Sequence, residues 1–393
     1  AFRNCTSLSS INLPNNGDYT SISESTFHGC KTLTSITIPN NVRSIGNNAF
    51  NDCSGLTSIE IGNGVTSIGE FAFNGCKTLT SITIPNSVKT IGNSAFRYCT
   101  GLTSMTIGSS VTSIGGEALF GCYNLTSITI PESVTSIGGG AFKSCSGLEK
   151  VCINNLAAWC GIDFGNEYAN PLWKAENLYL NGVKLEVLTI PTDVEKVKNY
   201  AFYNCKSIKI IKVPANIKAE NIGNYTFKGC EDHEVWNYST LNIVKDSSNY
   251  GCIAENAAKV YDLANGEFIF ERIEGINTLV KYLGDGINLI LPNRDESYVI
   301  GERAFSKENT INNELIKGIR IPNCVTSIGE RAFEGCTALE KIEIENRGYK
   351  DGKGGRGDLI LETKIMIPKR LTEEEKSLFE KLNEASKYNP RII

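Results

Sequence analysis

The chain has 393 residues, a formal net charge of −4, two histidines and 14 cysteines. A slightly acidic balance without basic clusters argues against nucleic acid as a partner, and no apolar run approaches the roughly 20 residues needed to span a membrane. With only His28 and His233, and no phosphate-cradling glycine motif, His-based acid–base, triad or nucleotide chemistry has almost no material to work with.

The chain opens in the middle of a repeat, at Ala1-Phe2-Arg3-Asn4-Cys5, so a true start upstream is expected. A first, stretched copy spans 25 residues from Phe2 to Phe27. Regular copies follow. Cys30, Cys53, Cys76, Cys99, Cys122 and Cys145 are each 23 residues apart, and Leu33, Ile36, Ile38, Val42 and Ile45 recur in phase with them. Self-similarity at a fixed period of roughly 20–50 residues marks a solenoid or related array.

Within one copy, Leu33, Ile36 and Ile38 alternate with Ser35 and Thr37, the pattern of a half-buried strand. Pro39 ends it, because proline cannot donate to a ladder. Val42 to Ile45 is a second short extended piece, and Ala49, Phe50 and Cys53 suit one helical turn that plugs the core. A single copy cannot bury its apolar face, but stacked copies can. The predicted fold is a mainly β repeat solenoid of parallel strands with short helical turns.

If the isoleucines point inward, the outward pairs on successive rungs are Ser35/Thr37, Ser58/Glu60, Ser81/Thr83, Ser104/Thr106 and Ser127/Thr129. These ten form the candidate binding surface. It suits many weak hydrogen bonds to an extended partner. The cysteine column falls among apolar positions with no CxxC pair, so it reads as buried free thiol rather than as a metal or disulfide framework.

AFNGCKTLTSITIPNSVKTIG (72–92) resembles the BspA-like leucine-rich repeats, the Treponema pallidum type. The resemblance covers most of 1–230 and again about 287–345. It implies a leucine-rich repeat solenoid, a cell-surface or secreted protein that binds host proteins or other cells, and no enzyme activity or cofactor. The free thiols leave a cytoplasmic location as the alternative.

At Cys152 the rhythm breaks, and residues 152–184 form an aromatic insert carrying Trp159, Phe164, Tyr168, Trp173 and Tyr179. About 37 extra residues are expected to bulge from the stack, since Phe142 to Phe202 spans 60. Trp159, Tyr168 and Trp173 are either a candidate aromatic platform for a glycan or peptide, or a private core that holds the insert down. Residues 1–230 thus form a repeat array with this insert. Residues 231–286 read as a β-rich spacer, with strand-like runs at 242–245, 259–263, 268–273 and 278–283. A second repeat block covers 287–345.

The tail, 346–393, reads as a Gly-rich loop, a strand over 359–367 and a helix opened by Thr372 and Glu375 as a capping box. GRGDLILETKIMIPKRLTEEEKSLFEKLNEASKYNPR resembles the end of a DnaJ-type co-chaperone. That resemblance implies a weak dimer contact through Leu378, Phe379 and Leu382. No His-Pro-Asp motif or CxxCxGxG repeat accompanies it, so chaperone activity does not carry over. The triplet Arg356-Gly357-Asp358 matches an integrin motif, but three residues recur by chance. Three functions follow as expectations. The first is a non-enzymatic protein-interaction or adhesion scaffold using the Ser/Thr surface, the second a glycan-binding module at the insert, and the third an intracellular co-chaperone-like scaffold.

Overall fold

A computed structural model describes residues 1–262, 267–294, 297–310, 312–345 and 359–362. The chain divides into two compact units, Ala1–Ala264 and Asn265–Ile393.

In the first unit the LTSITIP segments become strands stacked in parallel. Ser35–Ile38 lies beside Ser58–Ile61, Ser81–Thr83 beside Ser104–Thr106, and Ser127–Thr129 beside Lys150–Ile153. The VTSIG segments build a second, seven-stranded parallel sheet from Ser21–Ile22 to Asp163–Phe164. In the regular copies the AFxxC segment is a run of tight turns rather than helix. Asn48 (φ 55°) and Asp52 (φ 57°) are left-handed within it. Its N–H groups therefore reach the next rung: Phe27 donates to Ala49 O (2.8 Å), Phe50 to Ala72 O (2.7 Å) and Phe73 to Ala95 O (2.7 Å). Three columns of inter-rung hydrogen bonds thus surround one core.

Leu56, Val65, Phe73, Cys76 and their counterparts are fully buried. Phe27, Phe50, Phe73 and Phe96 stack with centroids 5.2 Å apart. The glycine that ends VTSIG is required by the close approach of rungs. A Cβ on Gly69 would lie 2.7 Å from Asn47 N, and one on Gly115 2.5 Å from Asn93 N.

The cysteine column does more than fill space. The Cys53, Cys76, Cys99 and Cys122 thiols donate to the carbonyls of Phe27, Phe50, Phe73 and Phe96, at 3.0 to 3.3 Å. Burial pushes the Cys53 thiol up to about 12, so it stays protonated and able to donate.

The insert stays within the stack instead of bulging from it. Asn155 accepts from Ala158 N (3.0 Å) and caps the helix Leu156–Cys160. Asp163–Phe164 then joins the second sheet, and Leu178–Leu180 pairs in parallel with Lys150–Ile153. The extra residues are absorbed by helices that replace shorter turns.

The parallel ladder also continues past Cys230. Ile211 pairs with Val235 and Val235 with Val260, so Glu234–Asn237 and Lys259–Asp262 are two further rungs of the first unit. They lack the repeat motif but keep inward Val235. Of the strand-like runs expected in 231–286, Asn242 to Lys245 forms no strand.

In the second unit, Phe268–Ile273 and Ile276–Tyr282 form an antiparallel hairpin. Ile276–Tyr282, Tyr298–Ile300 and Val325–Ile328 then pair in parallel. A second sheet runs Asn288–Ile290, Gly318–Ile321, Lys341–Ile344 in parallel and ends on antiparallel Leu359–Glu362. Leu279, Leu291, Ile300, Phe305 and Ile319 are buried in its core. The expected C-terminal helix with Leu378, Phe379 and Leu382, and the Arg356-Gly357-Asp358 triplet, lie outside the described residues.

Candidate binding surface

Period-two alternation sends Ile36, Ile82 and Ile128 inward and leaves Ser35, Thr37, Ser58, Glu60, Ser81, Thr83, Ser104, Thr106, Ser127 and Thr129 exposed. In-register pairing lines them up in two rows, for Ser35 faces Ser58 and Thr37 faces Glu60, while Ser81 faces Ser104 and Thr83 faces Thr106. Thr37 Oγ1 donates to Glu60 Oε2 at 3.4 Å; among the described residues the other eight hydroxyls have no side-chain partner. The threonines just before the strands behave differently, since Thr57 and Thr103 donate to the carbonyls of Thr34 and Thr80 (2.9 and 3.0 Å). The face is concave in two places, hollows of 620 and 470 Å³ that share Ser58 and Glu60.

The rows do not stop at Thr129. Thr129 pairs with Cys152 and Cys152 with Tyr179, so the same face acquires Tyr179, with the Lys150 ammonium 4.3 Å over its ring. Sequence reasoning placed Tyr179 in the insert and missed that it shares a face with the Ser/Thr rows. The available signal was Asn-Leu-Tyr-Leu-Asn-Gly, a short alternating strand ending on a hairpin turn.

The three rings of the aromatic candidate are not one platform. Trp159 is 1% exposed, and its indole donates to Ala201 O (2.9 Å) and meets Phe164 edge-on at 5.3 Å. It belongs to the core because its N–H finds a backbone acceptor only between rungs. Tyr168 and Trp173 are half-buried and meet edge to face at 5.3 Å. The Trp173 N–H is held by Phe142 O (3.0 Å), and the Lys143 ammonium covers the Tyr168 ring at 5.1 Å.

The residues that chemistry would need are differently employed. His233 is buried, its Nε2 2.7 Å from Ile253 O and its Nδ1 without a partner; burial lowers its pKa. Cys252 is buried, and burial together with Glu255 pushes its thiol up to about 11. Among the described residues no group of three or more His, Cys, Asp or Glu could hold a metal ion. None of their helices is long and apolar enough to cross a membrane.

Repeating parallel rungs, inward aliphatic columns and an outward polar face define a leucine-rich repeat solenoid. The chain belongs to the BspA-type leucine-rich repeat family, whose model matches residues 1–101, 66–159, 175–261 and 298–390. It is similar to a leucine-rich repeat protein from Bacteroides ovatus at 26% identity, covering 84% of this chain and 86% of that one, with a TM-score of 0.40. A leucine-rich cell surface protein from Faecalibacterium prausnitzii matches at 23% identity over 89% of this chain and 91% of that one, with a TM-score of 0.34. Among curated proteins, chaperone protein DnaJ 2 of Thermus thermophilus is 51% identical over 48 residues, 12% of this chain and 17% of that protein. Chaperone protein DnaJ of Mycoplasma capricolum is 47% identical over 53 residues, 13% and 14% respectively. The chain thus spans less than a fifth of the length of the curated relatives it matches.

Proposed function

We propose that this protein is a non-enzymatic adhesion or interaction scaffold at a cell surface, and that its Ser/Thr rows bind an extended segment of a partner protein. The observation that carries this reading is the set of eight exposed, mutually aligned hydroxyls without side-chain partners. Each can donate or accept, so together they suit the alternating N–H and C=O groups of an extended main chain. Membership of a leucine-rich repeat family supports a binding role in general.

The test is selection of a random-peptide phage library on the full chain, followed by measurement of the enriched peptides on the Thr83→Arg/Thr106→Arg variant. Two arginines on exposed positions should leave folding intact and weaken binding by more than tenfold. Enriched peptides that bind the variant as well as the parent would overturn the reading.

A second reading, glycan binding, is favoured only by the half-exposed pair Tyr168 and Trp173. A glycan array with Trp173→Ala as control decides it. The segment shared with the chaperones is too small a part of those proteins to support proposing their activity here.

A further inference from the structure

This inference rests on the reading of the Ser/Thr rows as a peptide-binding face and concerns the end of those rows. Thr129, Cys152 and Tyr179 are in-register neighbours on three successive parallel strands, so their side chains share one face of the sheet. Leu178, the neighbour of Tyr179, is fully buried, which confirms that the tyrosine points outward.

After Leu180 the chain turns back on itself. Asn181 (φ 51°) and Gly182 (φ 82°) both take the left-handed conformation that a two-residue hairpin requires. The turn sets Lys184 directly opposite Tyr179 in an antiparallel pair, and directly opposed residues project to the same side. Lys150, one strand away, places its ammonium 4.3 Å over the Tyr179 ring. Lys150 and Lys184 thus lie on the same face as the ring, on the two strands that flank it.

Neither lysine has an ion-pair partner among the described residues. By contrast Lys206, elsewhere in this unit, is held by Glu176 at 3.0 Å. Among the described residues of these strands the one carboxylate is Glu60, several rungs away; exposed Glu149 and Glu186 lie just beyond the strand ends and make no ion pair with either lysine. Two unpaired cations beside an aromatic, at the end of a nearly uncharged hydroxyl face, complement one acidic group with a short aliphatic stem.

We propose that Lys150, Tyr179 and Lys184 recognise an aspartate or glutamate side chain of the extended peptide segment whose main chain lies on the Ser/Thr rows. The carboxylate sits between the two ammonium groups, and its methylene stem packs on the tyrosine. The uncharged rows then give length-dependent affinity, and this end sets register and direction.

The peptides enriched by phage selection on the full chain provide the test. They should carry Asp or Glu at one fixed position, and binding should weaken as salt rises from 50 to 500 mM. Replacing either lysine by alanine should weaken binding by roughly two- to fivefold, in the range of exposed ion pairs. Selection on Lys150→Glu/Lys184→Glu should exchange the acid for Lys or Arg at that position. Peptides without an acidic preference, or the same acidic preference on the charge-reversed variant, would overturn this inference while leaving the peptide-binding reading standing. Loss of binding on Lys150→Glu/Lys184→Glu with no loss on Thr83→Arg/Thr106→Arg would overturn the placement of the main chain on the Ser/Thr rows and leave only the recognition of an acid by the two lysines. Hyaluronate, a polymeric carboxylate without a peptide backbone, binding more tightly than the selected peptides would overturn the assignment to a peptide. A selection that enriches nothing overturns both readings.

Discussion

The Cys76 thiol donates a hydrogen bond to the carbonyl oxygen of Phe50, 26 residues earlier and one rung back, at 3.3 Å. The same bond recurs from rung to rung, and it gives each of these carbonyls a second donor beside the backbone N–H three residues on, such as Cys53 N to Phe50 O at 3.1 Å. Losing the thiol removes one of two hydrogen bonds, worth about 0.5–1.5 kcal/mol, and opens a small cavity in a fully buried column.

Cys76→Ala should therefore destabilise the protein by about 1–3 kcal/mol, measured by denaturant unfolding. In the native state Cys53, Cys76 and Cys99 should resist thiol reagents while exposed Cys5 reacts promptly. Rapid labelling of the first three would show that the column is open.

The two faces of one strand should respond unequally. Ile82 is 4% exposed and Thr83 is exposed. Ile82→Ala should cost about 2–5 kcal/mol and Thr83→Ala less than about 1 kcal/mol. Equal losses in thermal or chemical unfolding would contradict the assigned strand face.

The tryptophans of the insert should likewise separate. Trp159→Ala deletes a fully buried ring, while the Asn170 amide still holds the Ala201 carbonyl at 3.0 Å, so the cavity sets an expected loss of about 3–5 kcal/mol. Trp173→Ala, at a half-buried site, should cost less. Emission spectra of the single-tryptophan variants should show Trp159 blue-shifted relative to Trp173.

His233 should make stability depend on pH. Burial lowers its pKa below the ordinary 6.5, so it is neutral in the folded chain when the unfolded chain begins to protonate. The unfolded state then binds more protons, and stability falls as pH drops below about 6.5 towards the folded value; above 6.5 the contribution is constant. Comparing unfolding at pH 7.5 and 5.5, part of the acid loss seen in the parent should vanish in His233→Gln, and an identical pH dependence would refute the role.

The sequence alone determined the repeat, the parallel rungs, and the inward isoleucines with outward serines and threonines. It could do so because those features follow from short-range alternation multiplied by an unbroken period, and each copy repeats the same local instruction. Where the period failed, tertiary structure decided. Glu234–Asn237 and Lys259–Asp262 joined the ladder without the motif, because an inward valine and a free strand edge suffice for pairing. Trp159 became core rather than surface because its only buried acceptor, Ala201 O, is 42 residues away in the chain. Tyr179 met Lys150 and Lys184 because a 27-residue step and a hairpin put three strands in register, and register between strands of unequal spacing is a property of the packed stack, not of any one segment.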